Sequence, residues 1–387
     1  MLFTVIILAV LALLYGYIAK QLFFAFSNEK KLRNAVLFYL GICWLSSPLP
    51  IVLRLSGIDS HWGDVLAWFV YLNMGFFSVL FVWYLSKDIL SLFLKPARTW
   101  LEARFSIAPS AERRALMSKT MHMGLLGVSG SLTGIGIQQA VKNAVVREIN
   151  VPIGSIPAPL KDLRIAQFTD VHIGPTIKRD FVENIVKQIN QLRPDMIVMT
   201  GDLVDGSVAH LKNDVAPLAK LDAPYGKFFI TGNHEYYSGA EAWIAEMKSL
   251  GFTVLLNEHQ LIEYKGSRVL LAGVTDYRAH QYLPAHASSP AKAMKGAPVS
   301  DVKILLAHQP KSIFEASKAG FDFQISGHTH GGQYYPWNVI AKMVNPYIQG
   351  LHKHDHKTWI YVSPGTGYWG PPIRLGTEPE ITMFRLS

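Results

Sequence analysis

A single cysteine, Cys43, stands in 387 residues, so no disulfide can form within the chain and a thiolate cage of the zinc-finger kind is excluded. Any metal held here must take nitrogen and oxygen ligands. Charge is scarce as well: 17% of residues are Asp, Glu, Lys or Arg against 50% apolar, too few for an ordinary soluble surface. The shortage is local. Residues 2–19, 35–53 and 65–86 contain no charged side chain, and each has the roughly 20 residues needed to cross about 30 Å of hydrocarbon. Residues 120–141 form a fourth stretch, richer in Gly and Ser, in which Gly130 and Gly134 at four-residue spacing permit close helix packing. Trp44, Trp62, Trp68, Trp83 and Tyr84 gather near the ends of these runs, where amphipathic rings favour the membrane interface. The first run lacks a basic leader and is followed by further apolar runs, so it is expected to be retained rather than cleaved as a signal.

These features divide the chain. Residues 1–145 are expected to form an all-α membrane region of about four transmembrane helices, residues 146–160 a linker, and residues 161–387 a globular domain. The net charge of +9 would suit nucleic acid, an anionic membrane surface or a phosphorylated substrate, and by itself selects none of them. Its distribution says more. Lys20, Lys30, Lys31 and Arg33 follow the first run and Lys95, Arg104, Arg113 and Arg114 follow the third, whereas Arg54 with Asp64 follows the second. Basic loops stay in the cytoplasm, so the N-terminus and everything after residue 145 are expected outside, on the periplasmic or extracellular face of the plasma (inner) membrane. Residues 113–119, Arg-Arg-Ala-Leu-Met-Ser-Lys, also resemble a twin-arginine export signal; basic anchoring of a helix end is the other reading.

From residue 163 onward short apolar runs of strand length alternate with helix-like segments, the pattern of an α/β domain. Strands are expected at 163–169, 196–200, 227–231, 268–274, 303–307, 323–326, 359–362 and 381–385. A helix is expected at 179–192, with Phe181, Val182, Ile185, Ile189 and Leu192 on one stripe. Directly after five of the strands come Asp170-x-His172, Gly201-Asp202-x-x-Asp205, Gly232-Asn233-His234-Glu235, His308 and Gly327-His328-Thr329-His330. Taken singly, each reads as an ordinary turn or a solvated histidine. Together, each at the carboxyl end of a strand, they would converge where open α/β sheets collect their ligand sites.

In this order and spacing the motifs closely resemble those of the calcineurin-like metallophosphoesterase family over about residues 161–387. The longer strings at 327–333 and 379–381, with the apolar N-terminal region, resemble its membrane-attached subgroup, the transmembrane proteins with a metallophosphoesterase domain. The resemblance implies a layered β-sheet domain flanked by helices and a dinuclear centre. One metal is implied at Asp170, His172 and His330, the second at Asn233, His308 and His328, with Asp202 bridging them. It also implies hydrolysis of phosphodiester or phosphomonoester bonds by a metal-bridging hydroxide, with His234 as the catalytic residue. Mixed His, Asn and carboxylate ligation suits two divalent or trivalent ions, Mn, Fe or Zn, and does not choose among them. Glu235 and Asp205 are read either as orienting groups or as structural ones.

The substrate is less legible. Residues 334–351 include Tyr335, Trp337, Val339, Ile340, Met343, Val344, Tyr347 and Ile348, which could cradle a lipid tail beside the site or cap the domain's own core. A lipid-linked phosphoester is therefore the candidate substrate and the bilayer a partner; an outward-facing domain without an evident basic groove argues against nucleic acid. A nuclease, and a catalytically silent membrane sensor or scaffold on the same fold, are the alternatives. His352, His354 and His356 alternate along the chain and read as a solvated hairpin rather than a further metal site.

Overall fold

The computed structural model describes every residue except Met1, Asp59, 106–109 and Ser155. The chain forms two compact units, one of residues 1–52 and 66–137, the other of residues 53–65 and 138–387.

The first unit is helical. It is built from α1 (Leu2–Ala25), α2 (Lys30–Ser46), most of α3 (Leu49–Leu55), and the greater parts of α4 (His61–Phe105) and α5 (Ala111–Val141). Tyr15, Ile18 and Leu22 of α1, Leu40 and Cys43 of α2, and Phe77, Leu80 and Tyr84 of α4 form its core. Many large apolar side chains face outward instead, among them Leu13, Phe38, Leu92 and Phe93, as expected of helices whose solvent is lipid. Among the described residues, the stretches Leu8–Ala25, Lys30–Arg54 and His61–Phe105 are long and apolar enough to cross a membrane, which suggests anchoring.

Two details differ from the sequence reading. Residues 120–141 are helical within α5, but Gly124, Gly127, Ser129, Gly130, Ser131, Thr133 and Gly134 dilute their apolar content, and they are not among those three stretches. The basic segment after the third run is not a simple loop either. Residues 87–105 prolong α4 to 45 residues, about 68 Å at the α-helical rise, because Leu, Lys, Ala and Arg are good helix formers.

The second unit holds two six-stranded sheets. In chain order its elements are β1 (Val145–Val151), β2 (Arg164–Phe168), α6 (Arg179–Leu192), β3 (Met196–Met199), α7 (Val208–Val215), β4 (Lys227–Phe229), α8 (Asn233–Ser238), α9 (Ala240–Ser249), β5 (Thr253–Val254), β6 (Glu258–Tyr264), β7 (Ser267–Gly273), α10 (Pro290–Met294), β8 (Val302–Leu306), α11 (Ile313–Lys318), β9 (Phe323–Ser326), α12 (Trp337–Val344), β10 (Gly350–Lys353), β11 (Trp359–Val362) and β12 (Glu380–Leu386). The sheet orders are β1-β12-β2-β3-β4-β5 and β10-β11-β9-β8-β7-β6. Residues 146–151, expected within a linker, are instead the edge strand β1, paired in parallel with β12.

Strand alternation assembles the layers. Ile165, Val198, Phe228 and Ile230 of the first sheet share one core with Val269, Leu271, Ile304, Leu306 and Ile325 of the second. The opposite face of the first sheet, with Ala166, Phe168, Ile197 and Met199, packs on Val182, Ile185 and Ile189 of α6. The far face of the second sheet, with Leu305 and Ala307, packs on Ile313 and Ala316 of α11. Strands covered on both faces read as unbroken apolar runs in sequence, which is why they were visible there. Parallel β2, β3 and β4 in one sheet and parallel β8 and β9 in the other deliver their carboxyl ends to a common edge.

Candidate metal centre

Every motif named from the sequence follows one of those five strands, and the residues meet. Asp170, His172 and His330 form one group whose ligand-type atoms all lie within 4.8 Å of one another; Asp202, His308 and His328 form a second; His172, Asp205 and His234 form a third. His172 Nε2 stands 3.0 Å from His330 Nε2, and His308 Nε2 stands 3.2 Å from His328 Nδ1 and 3.0 Å from Asp202 Oδ2. Asn233 begins α8, buried beside His234.

The backbone is bent to achieve this. Asp170, His172, Asp202, His328 and His330 all have positive φ, five of nine such non-glycine residues among those described. A left-handed conformation costs an L-residue about 1–2 kcal/mol, and clustering of such strain is typical of functional sites. The turns are then tied down. Glu235 Oε2 accepts from the amides of Gly232 (2.6 Å) and Asp202 (2.9 Å), and Oε1 from that of Leu203 (2.8 Å). Asp170 accepts from the amide of His328 through both oxygens, at 2.9 and 3.0 Å. Asp202 Oδ1 accepts from the amide of His234 at 2.8 Å.

Electrostatics follow from burial and crowding. Burial and the neighbouring His308 push the His328 imidazole down to about 3, and burial, His172 and Arg374 hold His330 well below its ordinary value, so both rings are neutral. Burial opposes ionisation of Asp202, but His308 and His234 outweigh it and hold its carboxyl well below the usual range. For His308 burial is likewise overridden, here by Asp202, and the imidazolium persists up to about 10. Burial drives Glu235 up to about 7, with the Asp202 charge adding to the effect against the pull of the backbone amides.

A family profile described as calcineurin-like phosphoesterase matches residues 163–332. The chain is 38% identical over 270 residues to a transmembrane protein with metallophosphoesterase domain of Bos taurus, covering 67% of this chain and 61% of that protein. It is 33% identical over 339 residues to the Danio rerio protein of the same name, covering 85% and 75% respectively. An uncharacterized metallophosphoesterase of Campylobacter jejuni is 29% identical over 389 residues, covering 100% of this chain and 98% of its own. The chain belongs to the calcineurin-like phosphoesterase family. Its similarity to the bovine relative spans about three fifths of that protein's length.

The residues of this metallophosphoesterase fit a pair of cations. Asn233 Oδ1 is buried without a hydrogen-bond partner, and His172 Nδ1, 3.3 Å from Asp205 Oδ2, makes no aligned hydrogen bond. Buried polar atoms are rarely left so unless something else binds nearby. Imidazole nitrogens that face each other in two pairs, two buried carboxylates and an orphaned amide oxygen make a nitrogen–oxygen donor set suited to transition metals.

Close backbone approach makes glycine obligatory at one turn. A Cβ on Gly327 would lie 2.1 Å from Asp170 Oδ2 and 2.6 Å from Thr169 Oγ1. Gly327→Ala is therefore expected to displace the Asp170 carboxylate, cost about 1–3 kcal/mol of stability through overpacking, and halve the metal retained after dialysis. Elemental analysis beside a thermal melt checks this; a variant with full metal content would show that the turn tolerates a methyl group.

Two positions escaped the sequence reading. Arg374 is fully buried, and its Nη2 lies 2.8 Å from the Pro364 carbonyl and 3.4 Å from His330 Nδ1. Its only signal was a lone cation in the Gly-Pro-rich run 370–376. Arg54, which in sequence serves only to weigh the charge after the second apolar run, donates from Nη1 to Asp205 Oδ1 at 2.5 Å. No local pattern could show that, because the two are 151 positions apart.

Proposed function

We propose that this metallophosphoesterase is a membrane-anchored, dinuclear phosphoester hydrolase. One cation is held by Asp170, His172 and His330 and the other by Asn233, His308 and His328, with Asp202 shared between them. The observation that carries this reading is the meeting of two separate His/Asp groups at the common edge of the two sheets, each with carboxylate and imidazole atoms within 4.8 Å of one another. Such a pair would supply Lewis acidity at the phosphoryl oxygens and a water that ionises near neutral pH. Mn, Fe and Zn all suit the donors.

The chain's own contribution to bond breaking falls to His234. Its Nδ1 is paired with Asp205 Oδ1, which orients the ring and leaves Nε2 to protonate the departing alkoxide. Tyr237 and Trp369 flank the ring, with centroids 5.0 and 5.6 Å away, and restrict its rotation. Glu235 contributes by locking the turns that carry Asp202 and Asn233.

The bilayer is the proposed anchor, through three apolar helices and α5 as a fourth, with residues 161–387 as the hydrolase domain on the outer face. Residues 53–65 belong to the same compact unit as that domain. This agrees with the charge count, which puts the second loop and the domain on one side. A lipid-linked phosphoester is the proposed substrate. It is supported by α12, which follows the 327–333 motif and exposes Trp337, Val339, Ile340, Met343 and Val344, with Met343 at 81%. Purified full-length chain should hydrolyse bis-p-nitrophenyl phosphate only with Mn, Fe or Zn, and should act on phospholipids in preference to nucleic acid. Met343→Glu is expected to slow cleavage of vesicle-presented lipid about tenfold, the equivalent of one buried apolar side chain, and to spare the soluble ester. Equal slowing of both substrates would remove α12 from lipid recognition.

A further inference from the structure

Asp205 joins the catalytic machinery to a segment that the domain boundary would leave out. Its Oδ1 receives both His234 Nδ1 and Arg54 Nη1, the latter at 2.5 Å, while its Oδ2 lies 3.3 Å from His172 Nδ1. The Arg54 and Asp205 side chains are only 14% and 9% exposed, so the pair is largely withdrawn from screening by solvent. The same segment is held at a second point. Asp64 Oδ2 lies 2.8 Å from Lys178 Nζ and 3.6 Å from His210 Nε2. Residues 53–65, between two apolar helices in the chain, thus belong to the hydrolase unit at both ends.

We propose that Arg54, in the last turn of α3 between the second and third apolar runs, is a positioning residue of the hydrolase, fixing the Asp205 carboxylate that orients His234. The proposal rests on the phosphoesterase reading above. Without a guanidinium, Asp205 Oδ1 faces His234 alone, and the carboxylate is free to turn toward His172. Charge-assisted hydrogen bonds of this kind are about twice as strong as neutral ones, and loss of partners that orient ligands or catalytic groups typically costs about 10–100-fold. Residues 53–65 are continuous in the chain with apolar helices on both sides.

The test uses the full-length chain in nanodiscs, with Mn and bis-p-nitrophenyl phosphate. Arg54→Ala is expected to lower kcat about 10–100-fold, with KM and bound Mn unchanged, and millimolar guanidinium should restore part of the loss. Arg54→Lys, which keeps the charge but not the planar fork, should fall between the two and serves as the test if the alanine variant does not fold. Arg179→Ala, which removes an exposed cation outside the site, is the control expected to match the parent. Amide exchange gives a readout independent of turnover: in metal-free Arg54→Ala, residues 203–206 should exchange faster than in the parent. A parent that hydrolyses the ester while Arg54→Ala equals it in kcat and exchange overturns the proposal and leaves the phosphoesterase reading standing. A metal-loaded parent that cleaves no phosphoester sinks that reading, and the positioning role with it.

Discussion

Asp202→Ala is expected to remove hydrolysis of bis-p-nitrophenyl phosphate almost entirely, by about 1,000-fold or more, and to deplete both cations together. The carboxylate is 4% exposed and faces His308 Nε2 at 3.0 Å. Removing the carboxylate proposed to be shared by both cations would take away the Lewis acidity and the ionised water that the pair supplies. His234 also loses the carboxylate oxygen that holds its amide. Elemental analysis and turnover should fall in parallel, while circular dichroism of the folded domain persists, since both main sheet cores are built without Asp202. Full metal content in a folded, inactive variant would make Asp202 something other than a shared ligand.

His234→Ala is expected to behave differently, and the contrast separates binding from proton transfer. Metal content and KM should hold, and kcat should fall. A positioned general acid contributes about 10²–10⁴-fold, with the larger loss on esters whose alcohol is a poor leaving group. A dialkyl phosphodiester should therefore suffer most. The p-nitrophenyl ester should suffer least, because its phenolate departs without needing a proton. Asp205→Asn should reproduce a weaker form of the same pattern, since it leaves the ring in place but alters what holds Nδ1. Equal losses on both esters would remove His234 from the proton-transfer step.

The α/β domain was legible because its physics is local. Strands buried on both faces must be apolar throughout, and α6 must show a 3.6-residue stripe, so residues 196–199 and 179–192 announce themselves. Strands β1, β6 and β10 were missed for the converse reason. Each is partly exposed and carries polar residues that resemble a linker or hairpin, as in Val145–Val151. The extension of α4 through residue 105 was hidden by its charges, which mark loops in a membrane protein but are compatible with a helix in water.

By itself the amino-acid sequence determined the apolar runs of the N-terminal region, the strand–helix alternation that follows, and which residues stand directly after strands. These depend on neighbours a few positions away. Tertiary structure alone decided that His172 faces His330, that His308 faces Asp202, that Arg374 lies buried against His330, and that Arg54 reaches Asp205. Those contacts join positions 44 to 158 residues apart, and the pairing of His308 with Asp202 crosses from one sheet to the other. Only closure of the chain into packed sheets, whose core chemistry carries no record of which distant polar groups it will bring together, sets such distances.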